Sequence, residues 1–241
     1  RLAAQAAHTH GMNHGMYHGI NRTQRIAILG AESTGKSWLA QALSSVIQMR
    51  GHAVCTVDEV LRNWCEREGR TPQPHEQMGI AIAQARAVSQ APAGWVIADT
   101  TPIMTAVYSH MLFEDDSLYP MALEHQALYD NTLVTGLDLP WVADGLQRDG
   151  PHVRGPVDTL VRQTLERAGI SYRVVYGQGH QRLNNALLAL GLPGEDPAAR
   201  ALREQSQFAI NQGRTVWQCN ECSDPDCEHK LFSGLLAKRP G

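Results

Sequence analysis

The sequence predicts an α/β domain in which five parallel strands form one sheet with helices on both faces. Five short apolar segments alternate with segments of helical spacing, and the first apolar segment runs into a glycine-rich loop. Strands that are apolar along their length are typical of parallel sheets, which are covered on both faces. With 43% hydrophobic residues in 241, the chain can form one large domain and a small appendage.

The predicted strands are short, apolar or β-branched, and bounded by polar residues or glycine. They are 25–31 (RIAILGA), 52–59 (HAVCTVDE), 95–101 (WVIADTT), 131–139 (NTLVTGLDL) and 171–177 (SYRVVYG). Ligands of open parallel sheets bind at the carboxyl ends of the strands. The polar residues that end these strands are therefore the first candidates for a functional site.

Helices are predicted between the strands from apolar residues that recur every three or four positions. They are 35–49, 60–69, 75–91, 105–113, 119–128, 157–169 and 180–190. The polar segment 144–156, which contains glycine and proline, is predicted to be a loop. We expect a flexible His-rich tail at 1–24, the α/β domain at 25–195 and a C-terminal extension at 196–241.

The totals exclude several classes of protein. A net charge of -3 provides no general attraction for nucleic acid or an anionic membrane surface. No run of 18 apolar residues could span a membrane, and no signal peptide is evident. The five cysteines include three between Cys219 and Cys227, which does not resemble a disulfide framework and indicates a reducing, cytoplasmic environment. A homo-oligomer is compatible with these totals.

The segment GAESTGKS fits the phosphate-binding pattern G-x-x-x-x-G-K-S in full. It follows a predicted strand and begins a predicted helix, which argues against a chance glycine-rich turn. Its backbone N–H groups and Lys36 would bind the phosphates of ATP, and the Ser37 hydroxyl would bind Mg²⁺. The residues expected at the nucleotide are Gly30, Ala31, Glu32, Ser33, Thr34, Gly35, Lys36, Ser37 and Trp38.

Two further strand ends supply acidic residues. Asp99 ends the third strand, where a carboxylate usually holds Mg²⁺ opposite the phosphate loop, although it could instead cap the next helix. Asp58 and Glu59 end the second strand, and Arg62 follows. Glu59 could orient or deprotonate an acceptor hydroxyl and Arg62 could stabilise the transferred group. A surface ion pair between residues three apart is the equally weighted alternative.

The predicted loop 144–156 contains Arg148 and Arg154. A lid of this kind would close over the phosphates and exclude water, so that the γ-phosphoryl group passes to an acceptor. A solvated connection with incidental charge is the alternative. No guanine-reading N-K-x-D segment follows the fourth strand, and there is little room for the extra helical domain of a ring-forming ATPase. These absences favour a small-molecule kinase.

The segment PWVADGLQRDG, residues 140–150, closely resembles the segment after the fourth strand in the NadR-type nicotinamide riboside kinase domain, within the AAA/NadR-like ATPases. The loop GAESTGKS, the Glu59 and Arg62 pair, and Asp99-Thr100 also resemble motifs of that family. The resemblance covers 25–190. It implies a P-loop kinase fold, ATP with Mg²⁺, and phosphorylation of the 5′-hydroxyl of nicotinamide riboside in NAD biosynthesis. Only the His-rich segment precedes the loop, so a stand-alone kinase is expected.

The sequence departs from that family at two positions. Thr101 stands where the family has a second aspartate, and Asp58 stands where members usually have another residue. Both positions are expected to contact the acceptor, so they bear on its identity. The predicted acceptor contacts are Asp58, Glu59, Gln84, Thr100, Thr101, Trp141 and Asp144. The alternative for Gln84 is an exposed helix residue, and the alternative for Trp141 is a core residue. Arg182 is predicted to contact ATP, and its alternative is a residue on the helix surface.

The C-terminal extension contains Cys219, Cys222, Cys227 and His229, with the spacing C-x₂-C-x₄-C-x-H. Thiolates and imidazole suit Zn²⁺, and a structural zinc would stabilise a segment too small for its own core. The close spacing of Cys227 and His229 leaves a different fourth ligand open. A reduced, metal-free cluster is the alternative.

The sequence therefore predicts an ATP-dependent kinase for a nucleoside-like acceptor. Lys36 and Mg²⁺ on Ser37 and Asp99 are predicted to neutralise the phosphates, with Glu59 and Arg62 at the acceptor. The rival hypothesis is a nucleotide-dependent switch or binding module whose zinc-containing tail binds a partner.

Overall fold

The computed structural model describes residues 22–92, 94–141 and 151–213. Five strands form one parallel sheet: β1 (Gln24–Leu29), β2 (Val54–Val57), β3 (Trp95–Asp99), β4 (Asn131–Thr135) and β5 (Arg173–Val175). The strand order is β2-β3-β1-β4-β5. The predicted α/β fold class, a five-stranded parallel sheet with a phosphate-binding loop after β1, is confirmed.

Eight α-helices connect or follow the strands within the described ranges. They are α1 (Lys36–Met49), α2 (Val60–Glu68), α3 (Pro74–Ser89), α4 (Pro102–Phe113), α5 (Tyr119–Gln126), α6 (Arg154–Arg167), α7 (Gly179–Ala189) and α8 (Pro197–Gly213). A short 3₁₀ turn, Pro151–Val153, precedes α6. None of the helices in these ranges has the length and apolar character needed to cross a membrane.

Two apolar clusters cover the two faces of the sheet. On one face, Leu39 and Leu43 of α1 pack with Leu183 of α7 against strand residues such as Ile26. The other face is covered by α2 to α6, including Ile103 of α4. Helix α1 follows β1 on one face of the sheet, and α4 follows the adjacent strand β3 on the other face. A crevice therefore opens between the carboxyl ends of these two strands, where ligands of such sheets bind.

Several predicted boundaries differ from the structure for identifiable reasons. The fourth strand ends at Thr135 and not at 139, because the chain there turns to place Asp138 against Gly177. The predicted loop 144–156 is helical from Arg154, since Pro156 in a first helical turn costs no hydrogen bond. The helix α8 was not predicted; Leu202 is the one large apolar residue of its first two turns, and these turns are held by an ion pair that spacing cannot reveal.

Candidate active site

The phosphate-binding loop begins at the end of β1 and is anchored to the end of β4. Gly30 has φ +148°, and a Cβ atom there would lie 2.0 Å from the Thr135 hydroxyl oxygen. Only glycine therefore fits between the two strands. The hydroxyl oxygens of Thr34 and Thr135 are 2.6 Å apart, and the Thr135 hydroxyl also donates to the Leu29 carbonyl at 3.2 Å. The loop is thus tied across the sheet at its first and fifth residues.

The loop opens directly into α1, whose first N–H groups point at the crevice. Gly35 caps the helix in the left-handed conformation, and Lys36 is its first residue. The Lys36 side chain is fully buried, and its Nζ donates to the Ala31 carbonyl at 2.9 Å. A helix N-terminus with a buried ammonium group at its first turn is a strong site for an anion. The cradle therefore fits the phosphates of a nucleotide.

Arg182, at the start of α7, joins three strand ends behind the loop. It is 1% exposed, and its guanidinium donates to the Thr34 carbonyl, to the Gly136 carbonyl and to the Asp138 carboxylate. Its Nε donates to the Gly177 carbonyl at 2.8 Å. The helix-surface alternative for Arg182 is therefore wrong. Since most of its donors are used within the protein, this geometry favours positioning of the loop over direct contact with ATP.

Arg154, the first residue of α6, lies beside the loop and not in a solvated connection. It is 5% exposed, and Nη1 donates to the Leu139 carbonyl at 3.1 Å. Its Nε and Nη2 have no hydrogen-bond partner within the described part of the chain. Burial lowers the pKa of Arg154, while the carboxylates of Glu32 and Asp138 raise it. This guanidinium has donors available for a ligand, so the solvated alternative is wrong for Arg154.

A chain of contacts links the loop to the acidic end of β2. The Arg62 guanidinium donates from Nη2 to Glu59 Oε2 at 2.7 Å and from Nη1 to the Ser37 hydroxyl at 3.4 Å. The side chains of Arg62 and Glu59 are 15% and 3% exposed. The surface ion pair is therefore wrong: the pair is largely buried and reaches the phosphate loop. It places a carboxylate and a cation next to the predicted Mg²⁺ ligand.

The turn that carries Asp58 and Glu59 is held by Gln84 of α3. Gln84 is buried; its Oε1 accepts from the Val60 N–H at 2.8 Å, and its Nε2 donates to the Asp58 carbonyl at 3.3 Å. The exposed alternative for Gln84 is therefore wrong. Its amide supports the start of α2, and it retains one N–H and one acceptor site on Oε1 for a direct contact with an acceptor. The Asp58 side chain is exposed.

Asp99 ends β3 next to β1, where the two strands pair Ile28 with Asp99. The carboxylate is buried. The helix-capping alternative is wrong, because the cap of α4 is Thr101, whose hydroxyl accepts from the Ile103 N–H at 3.3 Å. Oxygen ligands such as the Asp99 carboxylate and the Ser37 hydroxyl suit Mg²⁺, so the residues at this crevice fit the predicted ion.

Thr100 and Thr101 follow Asp99 in two different roles. Thr100 has φ +80°, and its buried hydroxyl has no hydrogen-bond partner within the described ranges. The Thr101 hydroxyl is fully buried and donates to Gln126 Oε1 at 2.6 Å, in addition to capping α4. This argues against the predicted contact between Thr101 and an acceptor. Thr100 remains a candidate for that contact.

Some predicted site residues lie outside the described residues. These are Asp144, Arg148 and the candidate zinc ligands Cys219, Cys222, Cys227 and His229. Within the described ranges, no group of three or more His, Cys, Asp or Glu side chains could hold a metal ion. Trp141 is partly buried. Trp38, in α1, packs against the apolar cluster that contains Leu39, Leu43 and Leu183.

Sequence reasoning missed Thr135 and Asp138. Both follow the rule that polar residues at strand ends mark the site, and both stand in the predicted fourth strand, NTLVTGLDL. Thr135 fixes the loop to β4. Asp138 accepts from the Gly177 N–H at 2.6 Å and from Arg182 at 2.8 Å. Their position at the end of a strand is the signal in the sequence that could have identified them.

The chain has distant likenesses among solved structures. No curated protein matches the sequence significantly. Similar solved structures include a deoxyadenosine kinase from M. mycoides with the products dCMP and a flexible dCDP bound, at a TM-score of 0.48, and the same kinase with dCTP, at 0.45. Each is 12% identical, and each alignment covers 70% of this chain and 99% of that chain. A likeness this distant says nothing about the substrate of this chain.

A family model described as an AAA domain matches residues 25–182, which include the phosphate loop, Asp99 and Arg182. The match covers more than half of the chain and ends within α7. The chain therefore belongs to this family of AAA domains.

Proposed function

We propose that this protein is an ATP-dependent kinase that transfers the γ-phosphoryl group to a hydroxyl of a nucleoside-like acceptor. The observation that carries the proposal is the partly buried chain of contacts from Ser37 through Arg62 to Glu59. A domain that only binds nucleotide has no need of a buried carboxylate joined to its phosphate loop. A kinase needs one to orient the acceptor hydroxyl and accept its proton.

Each residue then has a defined task. The loop N–H groups and Lys36 hold the phosphates, and the unpartnered donors of Arg154 stabilise charge on the transferred group. Bound ATP and Mg²⁺ would supply the phosphoryl group and the cation that balances the phosphate charge. Glu59 accepts the proton of the acceptor hydroxyl. The oxygen of that hydroxyl forms a bond to the γ-phosphorus as the bond between this phosphorus and ADP breaks. Arg62 keeps the Glu59 carboxylate in place through their 2.7 Å contact.

Nicotinamide riboside is the first acceptor to test, because of the resemblance carried by residues 140–150 and by Glu59 and Arg62. The departure at Thr101 does not weaken this choice, since the Thr101 hydroxyl is used in capping α4 and binding Gln126. Asp58 is exposed, so it is free to contact an acceptor, and a preference for another acceptor would be expected to depend on this side chain.

The test measures ADP release from ATP and Mg²⁺ with nicotinamide riboside, with a panel of nucleosides, and without acceptor. Glu59→Gln should lower acceptor-dependent turnover about 100-fold or more while ADP binding changes little. The control is Glu68→Gln at the other end of α2, since Glu68 forms an exposed ion pair with Arg67. Unchanged turnover in Glu59→Gln would remove Glu59 from the mechanism.

ATP hydrolysis without an acceptor is the second candidate, favoured by the AAA description of the matching family. Glu59 would then orient water in place of an acceptor hydroxyl. Turnover that no acceptor stimulates, but that Glu59→Gln abolishes, would establish this candidate and exclude the kinase.

A further inference from the structure

The segment between α7 and α8 is held from two directions. Arg50, which caps the end of α1, donates from Nη2 to the carbonyls of Pro193 at 2.7 Å and Gly194 at 3.0 Å. From α7, Asn184 Oδ1 accepts from the Glu195 N–H at 2.8 Å. This segment follows the residues that match the AAA family, 25–182.

Glu195 joins this segment to α8 through a buried ion pair. Arg203 donates to both carboxylate oxygens, from Nε at 2.7 Å and from Nη2 at 3.2 Å, and the two side chains are 4% and 1% exposed. His180 Nδ1 lies 3.1 Å from Glu195 Oε2. Burial raises the pKa of Glu195, but Arg203 and His180 outweigh it and hold that pKa below its usual value. The carboxylate is therefore charged and bonded to two helices.

The α7 end of this network lies in the same helical turn as Arg182. His180 and Arg182 are two residues apart in the first turn of α7, and Asn184 also contacts His180 at 2.9 Å. Arg182 in turn donates to the Thr34 carbonyl in the phosphate loop. A trans peptide points its C=O and N–H in opposite directions, so holding the Thr34 carbonyl also fixes the direction of the Gly35 N–H.

We propose that Arg203 is a positioning residue for nucleotide binding. Its ion pair with Glu195 supports the contact of Glu195 with His180 in the first turn of α7. The position of this turn determines the position of Arg182, which donates to the Thr34 carbonyl of the phosphate loop. The inference rests on the proposed function only in requiring that the loop binds nucleotide. Arg203 donates to Glu195, and His180 of α7 contacts the same carboxylate, so this route from Arg203 to the loop passes through α7.

The first test is the affinity for ADP with Mg²⁺, measured by calorimetry. Arg203→Met should raise Kd about fivefold or more, the usual lower range for coupling between sites. Arg203→Lys should recover part of the affinity, because it keeps the charge and loses the two-point contact. The control is Arg200→Met, which removes an ion pair with Glu204 on the same helix; these side chains are 45% and 50% exposed, so Kd should not change.

The second test needs no variant. Coupling is reciprocal, so ADP binding to the wild-type protein should slow amide hydrogen exchange in residues 197–205 of α8. Wild-type protein that fails to bind ADP would overturn the proposed function together with this inference. Normal ADP binding by the wild type, with exchange in 197–205 unaltered, would overturn the inference alone, even if Arg203→Met did not fold. An Arg203→Met protein that binds ADP as tightly as Arg200→Met would also overturn the inference alone.

Discussion

Thr100 adopts a backbone conformation that a β-branched residue rarely adopts. Its φ is +80°, it directly follows Asp99, and its N–H donates to the Ile28 carbonyl at 3.0 Å. A side chain with a Cβ costs about 1–2 kcal/mol in the left-handed region, whereas glycine is not penalised there. The hydrogen bond to β1 holds this conformation in place. Strain of this kind is often retained where function requires it.

The comparison of Thr100→Gly with Thr100→Ala isolates this strain, because both variants lose the hydroxyl and the methyl group. At an ordinary strand or helix position, glycine is about 0.5–1 kcal/mol less stable than alanine. At position 100 the order should be reversed, with glycine more stable by about 1 kcal/mol. For a domain of this size that difference corresponds to about 2–4 °C in Tm.

The assay is thermal and denaturant unfolding of both variants, together with acceptor-dependent ADP release. If Thr100 contacts the acceptor, Thr100→Gly should lose turnover while Thr100→Ser retains much of it. Glu114 provides the control, since it has φ +57° at the exposed end of α4. There glycine should also be more stable than alanine, with turnover unchanged. A Thr100→Gly protein less stable than Thr100→Ala would refute the reasoning.

Three other perturbations have definite expected outcomes. Gly30→Ala should abolish ADP binding measured by calorimetry, because its Cβ would lie 2.0 Å from the Thr135 hydroxyl oxygen; ordinary affinity would contradict the described loop. Thr101→Val should lower the free energy of unfolding by about 0.5–2 kcal/mol, through loss of the α4 cap and the Gln126 bond, with KM for the acceptor unchanged. Burial lowers the pKa of His125 in the folded protein. As the pH falls below about 6.5, the unfolded chain therefore takes up a proton at this residue before the folded protein does, and the free energy of unfolding should decline. His125→Phe should lose less stability between pH 7 and pH 5 in denaturant titrations; identical slopes would exclude His125 as a cause.

The fold class, the order of elements and the phosphate loop could be predicted because their signals are local. Apolar runs predict buried strands, helical spacing predicts amphipathic helices, and the glycines of GAESTGKS are needed wherever a backbone surrounds phosphate. The rule that ligands gather at strand ends also identified Asp99 and Glu59 as site candidates. These inferences depend on residues that are near one another in the chain, where periodicity and motif spacing are informative.

How those candidates are used depends on contacts between distant segments of the chain. Arg182 donates to Thr34, 148 residues away in the chain, and Thr101 turns its hydroxyl to Gln126 on another helix. No local pattern distinguishes an arginine that supports a loop from one that has donors available for a ligand. Both Arg182 and Arg154 are buried, but Arg182 donates to four groups of the protein, whereas Nε and Nη2 of Arg154 have no partner within the described part of the chain. This difference is set by how distant segments pack. The local sequence therefore predicts a phosphate-binding loop, whereas the packing of α6 and α7 sets which arginine beside it has donors available for a ligand.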